Sequence, residues 1–224
     1  MTLSIVGRCA QTRQLGIAIS SSSIAVGARC PWVRAGVGAV ATQNITLPAL
    51  GPRILDRLQE GDTVDAALKA GLASDTYSHY RQVTVLSVDG QSACFSGEHT
   101  LGIHHALTGV DCVAAGNLLA NQEVISAMVA AFAGRQGHLA DRLWVALACG
   151  AAAGGEAGPV HSAALAIVDE QAWPLIDLRV DWSDGDPIAE LGKLWRAYQP
   201  QMQDYVTRAL DPTQAPSYGV PGDV

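Results

Sequence analysis

Two stretches of this chain are apolar on both sides of an extended backbone, and that leaves few ways to fold it. Ile17-Ala18-Ile19 and Ala164-Leu165-Ala166-Ile167 offer water no face. A strand points successive side chains to opposite sides, so a run apolar on both sides must be covered on both. The extended segments also come in adjacent pairs. Leu3 to Val6 and Leu15 to Ser20 flank a polar stretch holding Gln11, Thr12 and Arg13, Arg81 to Val88 and Gln91 to Ser96 flank Asp89-Gly90, and Ser162 to Val168 precedes Leu175 to Val180. Short connections of this kind predict antiparallel hairpins. Trp32 to Thr42 reads as one further extended stretch interrupted by Gly36 and Gly38, and another lies near Val110 to Ala115.

Helical spacing fills the gaps. Pro48 opens a helix with Leu50, Ile54 and Leu58 on one stripe and Gly61 as its stop, and Asp62 or Thr63 caps a second with Val64, Ala67, Leu68 and Leu72. Val124, Met128 and Phe132 are in register on a third, Leu139, Leu143 and Leu147 on a fourth. Pro187 opens a last helix that faces Ile188, Leu191 and Trp195 inward. The order is strands, two helices, strands, two helices, strands, helix. Two antiparallel sheets stacked together with helices outside would cover every two-faced strand, so the expected fold is α+β, a four-layer αββα sandwich.

Of the 224 residues 49% are hydrophobic and 16% charged, enough for one core that buries roughly 70% of the unfolded surface. One domain over residues 1–210 is expected, followed by a Pro-rich arm over 211–224 with Pro212, Pro216 and Pro221. A net charge of -7 without any Lys/Arg run argues against nucleic acid or an anionic membrane as partner, and 5% aromatic content against a base-stacking surface. Neither a membrane span nor a secretory leader is apparent, so a cytoplasmic protein is expected. The five cysteines are scattered without a C-x-x-C, as in reduced buried thiols, and the adjacent His104 and His105 point to different sides. No metal and no cofactor is expected; a small-molecule ligand and self-association are.

Chemistry enters at Met1-Thr2. A small residue after an initiator methionine normally allows that methionine to be removed. Thr2 then carries a hydroxyl and a free α-amine on one residue, and an amine titrating near pKa ~8 can take the hydroxyl proton at neutrality. In the sandwich, the first strand would start at the mouth between the sheets. Arg34 is expected beside it as a fixed cation that keeps the amine neutral and stabilises developing negative charge. Thr42, Gln43 and Asn44 end the third strand before a helix, and Gly116 and Asn117 form a second strand-to-helix corner; backbone N–H groups and amides at such corners can bind an oxyanion. Ser20 and Ser21 begin a run of four hydroxyls beside the nucleophile, and Glu156 and His161 are the acid and imidazole of a glycine-rich loop. Asp177, Arg179 and Asp181 share one strand face and read as an ion pair. No Walker motif, GxSxG, HExxH or GxGxxG occurs.

Several of these segments carry a resemblance. Met1-Thr2-Leu3-Ser4-Ile5-Val6, Ala25-Val26-Gly27-Ala28, the long run Arg34-Ala35-Gly36-Val37-Gly38-Ala39-Val40-Ala41-Thr42-Gln43, Tyr80-Arg81-Gln82, Ala114-Ala115-Gly116-Asn117, Gly154-Gly155, Ser162-Ala163-Ala164-Leu165 and Asp177-Leu178-Arg179-Val180-Asp181 occur in order. Together they resemble, nearly end to end, "domain of unknown function 1028", a family of the N-terminal nucleophile (Ntn) hydrolase-like group. The resemblance implies the αββα sandwich and puts Thr2 where Ntn amidohydrolases carry their nucleophile. It names no substrate. The resulting expectation is a hydrolase of an amide bond in a small nitrogen-containing metabolite, with Thr2, Arg34, Gln43 and Asn117 as catalytic groups and Ser20, Ser21, Thr42, Asn44, Gly116, Glu156 and His161 around the substrate. The alternative is a non-catalytic ligand-binding or oligomeric scaffold.

Overall fold

The first hairpin, β1 (Thr2–Arg8) with β2 (Leu15–Ser21), lies in the middle of a sheet and not at its edge. β2 continues onto β9 (Ser162–Val168) and β10 (Ile176–Val180), while β1 continues onto β8 (Cys112–Asn117) and β7 (His105–Gly109). The six strands run in the order β10-β9-β2-β1-β8-β7. A second sheet holds β3 (Pro31–Arg34), β4 (Gly38–Asn44), β5 (Arg81–Ser87) and β6 (Ser92–Ser96) in chain order. All pairings are antiparallel. The structure, a computed structural model, describes residues 1–217 and 219, and is a mixed α+β fold of two antiparallel sheets and helices.

Side-chain alternation decides what each face meets. Val6, Leu15, Ile17, Ile19, Val113, Ala164 and Val168 project from one face of the larger sheet and pack against Ala39, Ala41 and Leu86 of the smaller. The opposite face of the larger sheet, with Leu3, Ile5, Ala114, Leu165 and Ile167, is covered by α3 (Glu123–Gly134), α4 (Leu139–Ala152) and α5 (Pro187–Tyr198), through Met128, Phe132, Leu143, Leu147 and Trp195. Val40, Val83 and Val85 on the outer face of the smaller sheet meet Leu50 and Ile54 of α1 (Leu50–Gln59) and Ala67 and Leu68 of α2 (Val64–Ala73). Thr63 caps α2 by accepting from Ala66 N, and Asp186 caps α5 by accepting from Ile188 N and Ala189 N.

Several boundaries differ from expectation. The single stretch Trp32 to Thr42 is two strands, because Gly36 takes a left-handed φ of 69° and turns the chain back on itself. The strand near Val110 is one arm of a hairpin whose turn holds Asp111 at φ 59°, and β7 precedes it. A further helix, α6 (Met202–Leu210), follows α5. Of the arm at 211–224, residues Pro212–Gln214 form a short 3-10 turn, and 218 and 220–224 lie outside the described residues. All five cysteines are free, Arg179 pairs with Asp177 at 2.7 Å, and among the described residues no helix is long and apolar enough to cross a membrane.

Candidate active site

One end of the layer between the sheets changes from apolar to polar. Along β1 the face that carries Val6 continues as Ser4 and Thr2, and along β2 the face of Ile17 and Ile19 continues as Ser21. On β4 the face of Ala39 and Ala41 ends in Gln43; on β5 that of Leu86 ends in Thr84 and Gln82; on β8 that of Val113 ends in Asn117. All of these polar side chains are buried. Polar groups at such depth stand only if partnered, or if something else is meant to partner them.

A single backbone carbonyl orients three amides here. Gly116 O can only accept, so the Gln82 side chain turns its Nε2 toward it, at 3.0 Å. Gln82 Oε1 must then accept, and receives Asn117 Nδ2 at 3.1 Å and Gln43 Nε2 at 2.8 Å. Gln43 Oε1 in turn accepts Ser4 Oγ at 2.7 Å. Among the described residues this network leaves Asn117 Oδ1 buried without a hydrogen-bond partner, as is Thr84 Oγ1 on β5. Asn117 is the cross-strand neighbour of Thr2.

Thr2 is 5% exposed and sits beneath Met1. Its hydroxyl donates to Met1 O at 2.7 Å and lies 3.4 Å from Ser21 Oγ. Ser21 Oγ donates to the same Met1 oxygen and is itself 2.9 Å from Ser23 Oγ, which accepts Arg29 Nη2 at 3.1 Å. The Met1 carbonyl is therefore gripped by two hydroxyls, one of them linked through Ser23 to a guanidinium. Beside it, Glu156 is 7% exposed, with Oε2 accepting Ser22 N at 3.3 Å and Oε1 without a partner among the described residues. Burial pushes the Glu156 carboxyl up to about 8, against the pull of the nearby Met1 amine and the Ser22 N–H. Its loop is fixed: Gly154 and Gly155 take φ of 129° and 60°, Ala120 N donates to Gly155 O, and Ala157 N to Leu118 O. The Cys30 thiol is pushed up to about 11 by burial, so it is no rival nucleophile at neutral pH.

The structure brings Thr2, Ser21, Gln43, Asn117, Glu156 and the carbonyl of Gly116 to one place and puts the other expected side chains elsewhere. Arg34 pairs with Gly38, at the far end of β4 from Gln43, roughly 17 Å away at about 3.3 Å per residue. Its guanidinium binds Asp56 and Gln59 of α1, both at 2.8 Å. Arg29 is the cation that reaches the hydroxyl cluster. Ser20 projects from the face of Ala18 toward the helices, as does Gly116, where a Cβ would strike Leu119 and Ile125. Thr42 faces α1 and bonds Thr46 and Leu47. Asn44 takes φ 71° and ties Tyr80, His99 and Leu101 to the end of β4. His161 donates its backbone N–H to Ser21 O, but its ring stacks on Trp182 at 4.3 Å and bonds Ser183 O. Ser4 and Gln82 enter the sequence reading only within segments that carry the family resemblance, with no site role, and Arg29 does not enter it. Ser4 was legible as the residue two along from Thr2 on the same strand face; Gln82 and Arg29 needed the pairing of distant strands.

The model of a family of unknown function, DUF1028, matches residues 2–191. The chain belongs to the DUF1028 family. Among solved structures it is similar to the crystal structure of the DUF1028 protein SPO2555 from Silicibacter pomeroyi, with 27% identity and a TM-score of 0.82 over 88% of this chain and 89% of that one. No curated protein matches. The DUF1028 match thus runs from β1 into the first turn of α5 and includes every residue of the polar end described above except Met1.

Proposed function

We propose that this DUF1028 protein is a cytoplasmic Ntn-type amidohydrolase on a four-layer αββα sandwich, and that it cleaves an amide bond of a small nitrogen-containing metabolite once the Met1–Thr2 bond has been cut. The observation that carries the reading is the placement of Thr2: a hydroxyl at the start of a central strand, in the polar end of the inter-sheet layer, 2.7 Å from an acyl oxygen that Ser21 also holds. In the reaction, Thr2 Oγ bonds to the substrate's amide carbon while the Thr2 α-amine takes the hydroxyl proton and passes it to the leaving nitrogen. Water then adds to the ester with the amine again as base, which releases the carboxylic acid and restores the hydroxyl. Ser21, backed by Ser23 and Arg29, stabilises the oxyanion in place of the corner amides expected from sequence. Gln43, Gln82 and Asn117 hold the first strand in position and present one acceptor.

Thr2→Ala should reduce amide turnover by at least a hundredfold while Thr2→Ser keeps a measurable fraction, assayed on chain whose new amino terminus has been verified by mass. Undiminished turnover by Thr2→Ala removes Thr2 from the mechanism. A second reading, a non-catalytic ligand-binding or oligomeric module, is favoured by the Met1 carbonyl that occupies the Thr2 hydroxyl. Uniform retention of Met1 in native protein would support it. Self-association belongs to either reading; exposed Ile45, Leu101 and Ile103 beside Tyr77 and Tyr80 offer it apolar surface, and a monomer mass in light scattering would remove it.

A further inference from the structure

Met1 is an α-aminoacyl group in amide linkage to the residue proposed as nucleophile. Its position therefore shows what an acyl group near Thr2 Oγ would touch. Moving an acyl group from the Thr2 nitrogen to the Thr2 oxygen shifts it only across a five-membered ring, and the resulting ester is what an aminoacyl substrate would form. The surroundings of Met1 divide by chemistry. Its carbonyl oxygen takes hydroxyl donors from Thr2 and Ser21. Its thioether end lies against the loop at Gly158, where a Cβ would come within 2.9 Å of Cε. Its amine is near enough to pull on the Glu156 carboxyl but forms no ion pair with it, and among the described residues Glu156 Oε1 is buried without a partner. The other unpartnered atom bordering Thr2 is Asn117 Oδ1, again an acceptor. Two buried oxygens without partners favour a ligand that brings N–H groups, and the carboxyl favours a cationic one, because an incoming ammonium displaces the proton that burial otherwise keeps on it.

Resting on the amidohydrolase reading, we propose that the acyl half of the substrate carries a free primary amine, as in an α-amino-acid amide, and that Glu156 is the residue that recognises it. Glu156 is a specificity residue here and takes no part in bond making. The amine displaces none of the existing hydrogen bonds: Ser22 N stays on Oε2 and the ammonium takes Oε1.

Binding and turnover are measured separately, with L-methioninamide and N-acetyl-L-methioninamide as probes on chain lacking Met1. Calorimetry on the Thr2→Ala protein should show the free-amine amide binding at least tenfold tighter than the acetylated one, and Glu156→Gln should bring the two within about twofold of each other. Glu156→Asp, which keeps the carboxyl on a shorter stem, should retain part of the preference. Equal affinity for both probes, no binding of either, or an undiminished preference in Glu156→Gln overturns the assignment. Turnover by the Thr2 protein separates the two proposals. Selective binding without turnover sinks the amidohydrolase reading and leaves the amine site standing; turnover of both amides without preference does the reverse.

Discussion

Gln82 touches more of the polar end than any expected catalytic residue, because it answers Gly116 O, Gln43 and Asn117 at once. Gln82→Met keeps the volume and removes these three bonds and a fourth to Ser96 Oγ, leaving a buried carbonyl and two amide donors without that partner. The expected cost is about 3 kcal/mol, a large share of a domain's stability, measurable as a lower midpoint in urea. Glu156 behaves in the opposite sense. Its carboxyl is raised from 4.5 to about 8 in the fold, so the folded state keeps a proton that the unfolded chain releases. Its contribution is fully present below pH 4.5 and is lost as pH rises through 8. Glu156→Gln should therefore match the parent below pH 4.5 and exceed it above pH 8 by on the order of 2–4 kcal/mol, as read from urea unfolding at the two pH values. Equal stability at both would mean the carboxyl ionises freely in the fold. Asp75 supplies the contrary sign: the Arg81 guanidinium, 2.7 Å away, holds its carboxyl below the usual range, so the pair stabilises above about pH 4 and fades in acid. Asp75→Asn leaves Arg81 buried beside a neutral amide and should cost about 3 kcal/mol at pH 7.

At the level of elements, the contact between α1 and β3 is set by one missing side chain. A Cβ on Gly51 would stand 2.1 Å from the Trp32 ring, so helix and strand meet with no intervening group. Gly51→Ala gains helix propensity but forces the two apart. A net loss of about 1–3 kcal/mol is expected, with a blue- or red-shifted Trp fluorescence as the ring is displaced. Strands and helices with a clear period were legible from sequence: the 3.6-residue stripes of α1 to α5, and the hairpin around Asp89-Gly90. What escaped had a local cause. The break at Gly36 lies inside a run that is β-rich on both sides, and only the positive φ separates β3 from β4. β7 carries a half-buried, mixed side-chain pattern at the edge of the sheet, so its alternation is weak. α6 has no buried residue to mark its inner face.

For the whole molecule, the two-faced strands were the decisive clue, since Ile17 to Ile19 and Ala164 to Ile167 do occupy β2 and β9, with helices on one side and the other sheet opposite. Thr2 lies at an end of that inter-sheet layer, because strand order pairs it with Ser21 on one side and Asn117 on the other. Its companions were not all legible. Arg34 was assigned by proximity along an imagined continuous strand, and the turn at Gly36 reverses the chain before Gln43 is reached. Arg29 comes to the cluster through Ser23, and Glu156 through the pairing of Leu119 with its own backbone; neither contact follows from spacing.

One practical result follows from β1 being flanked on both sides, by β2 and by β8. A purification handle fused ahead of Met1 has no free edge along which to leave. It would have to pass the Glu156 loop and would stopper whatever enters there. A handle joined beyond residue 210 should leave ligand uptake intact, whereas one fused in front should abolish it until clipped off with a protease.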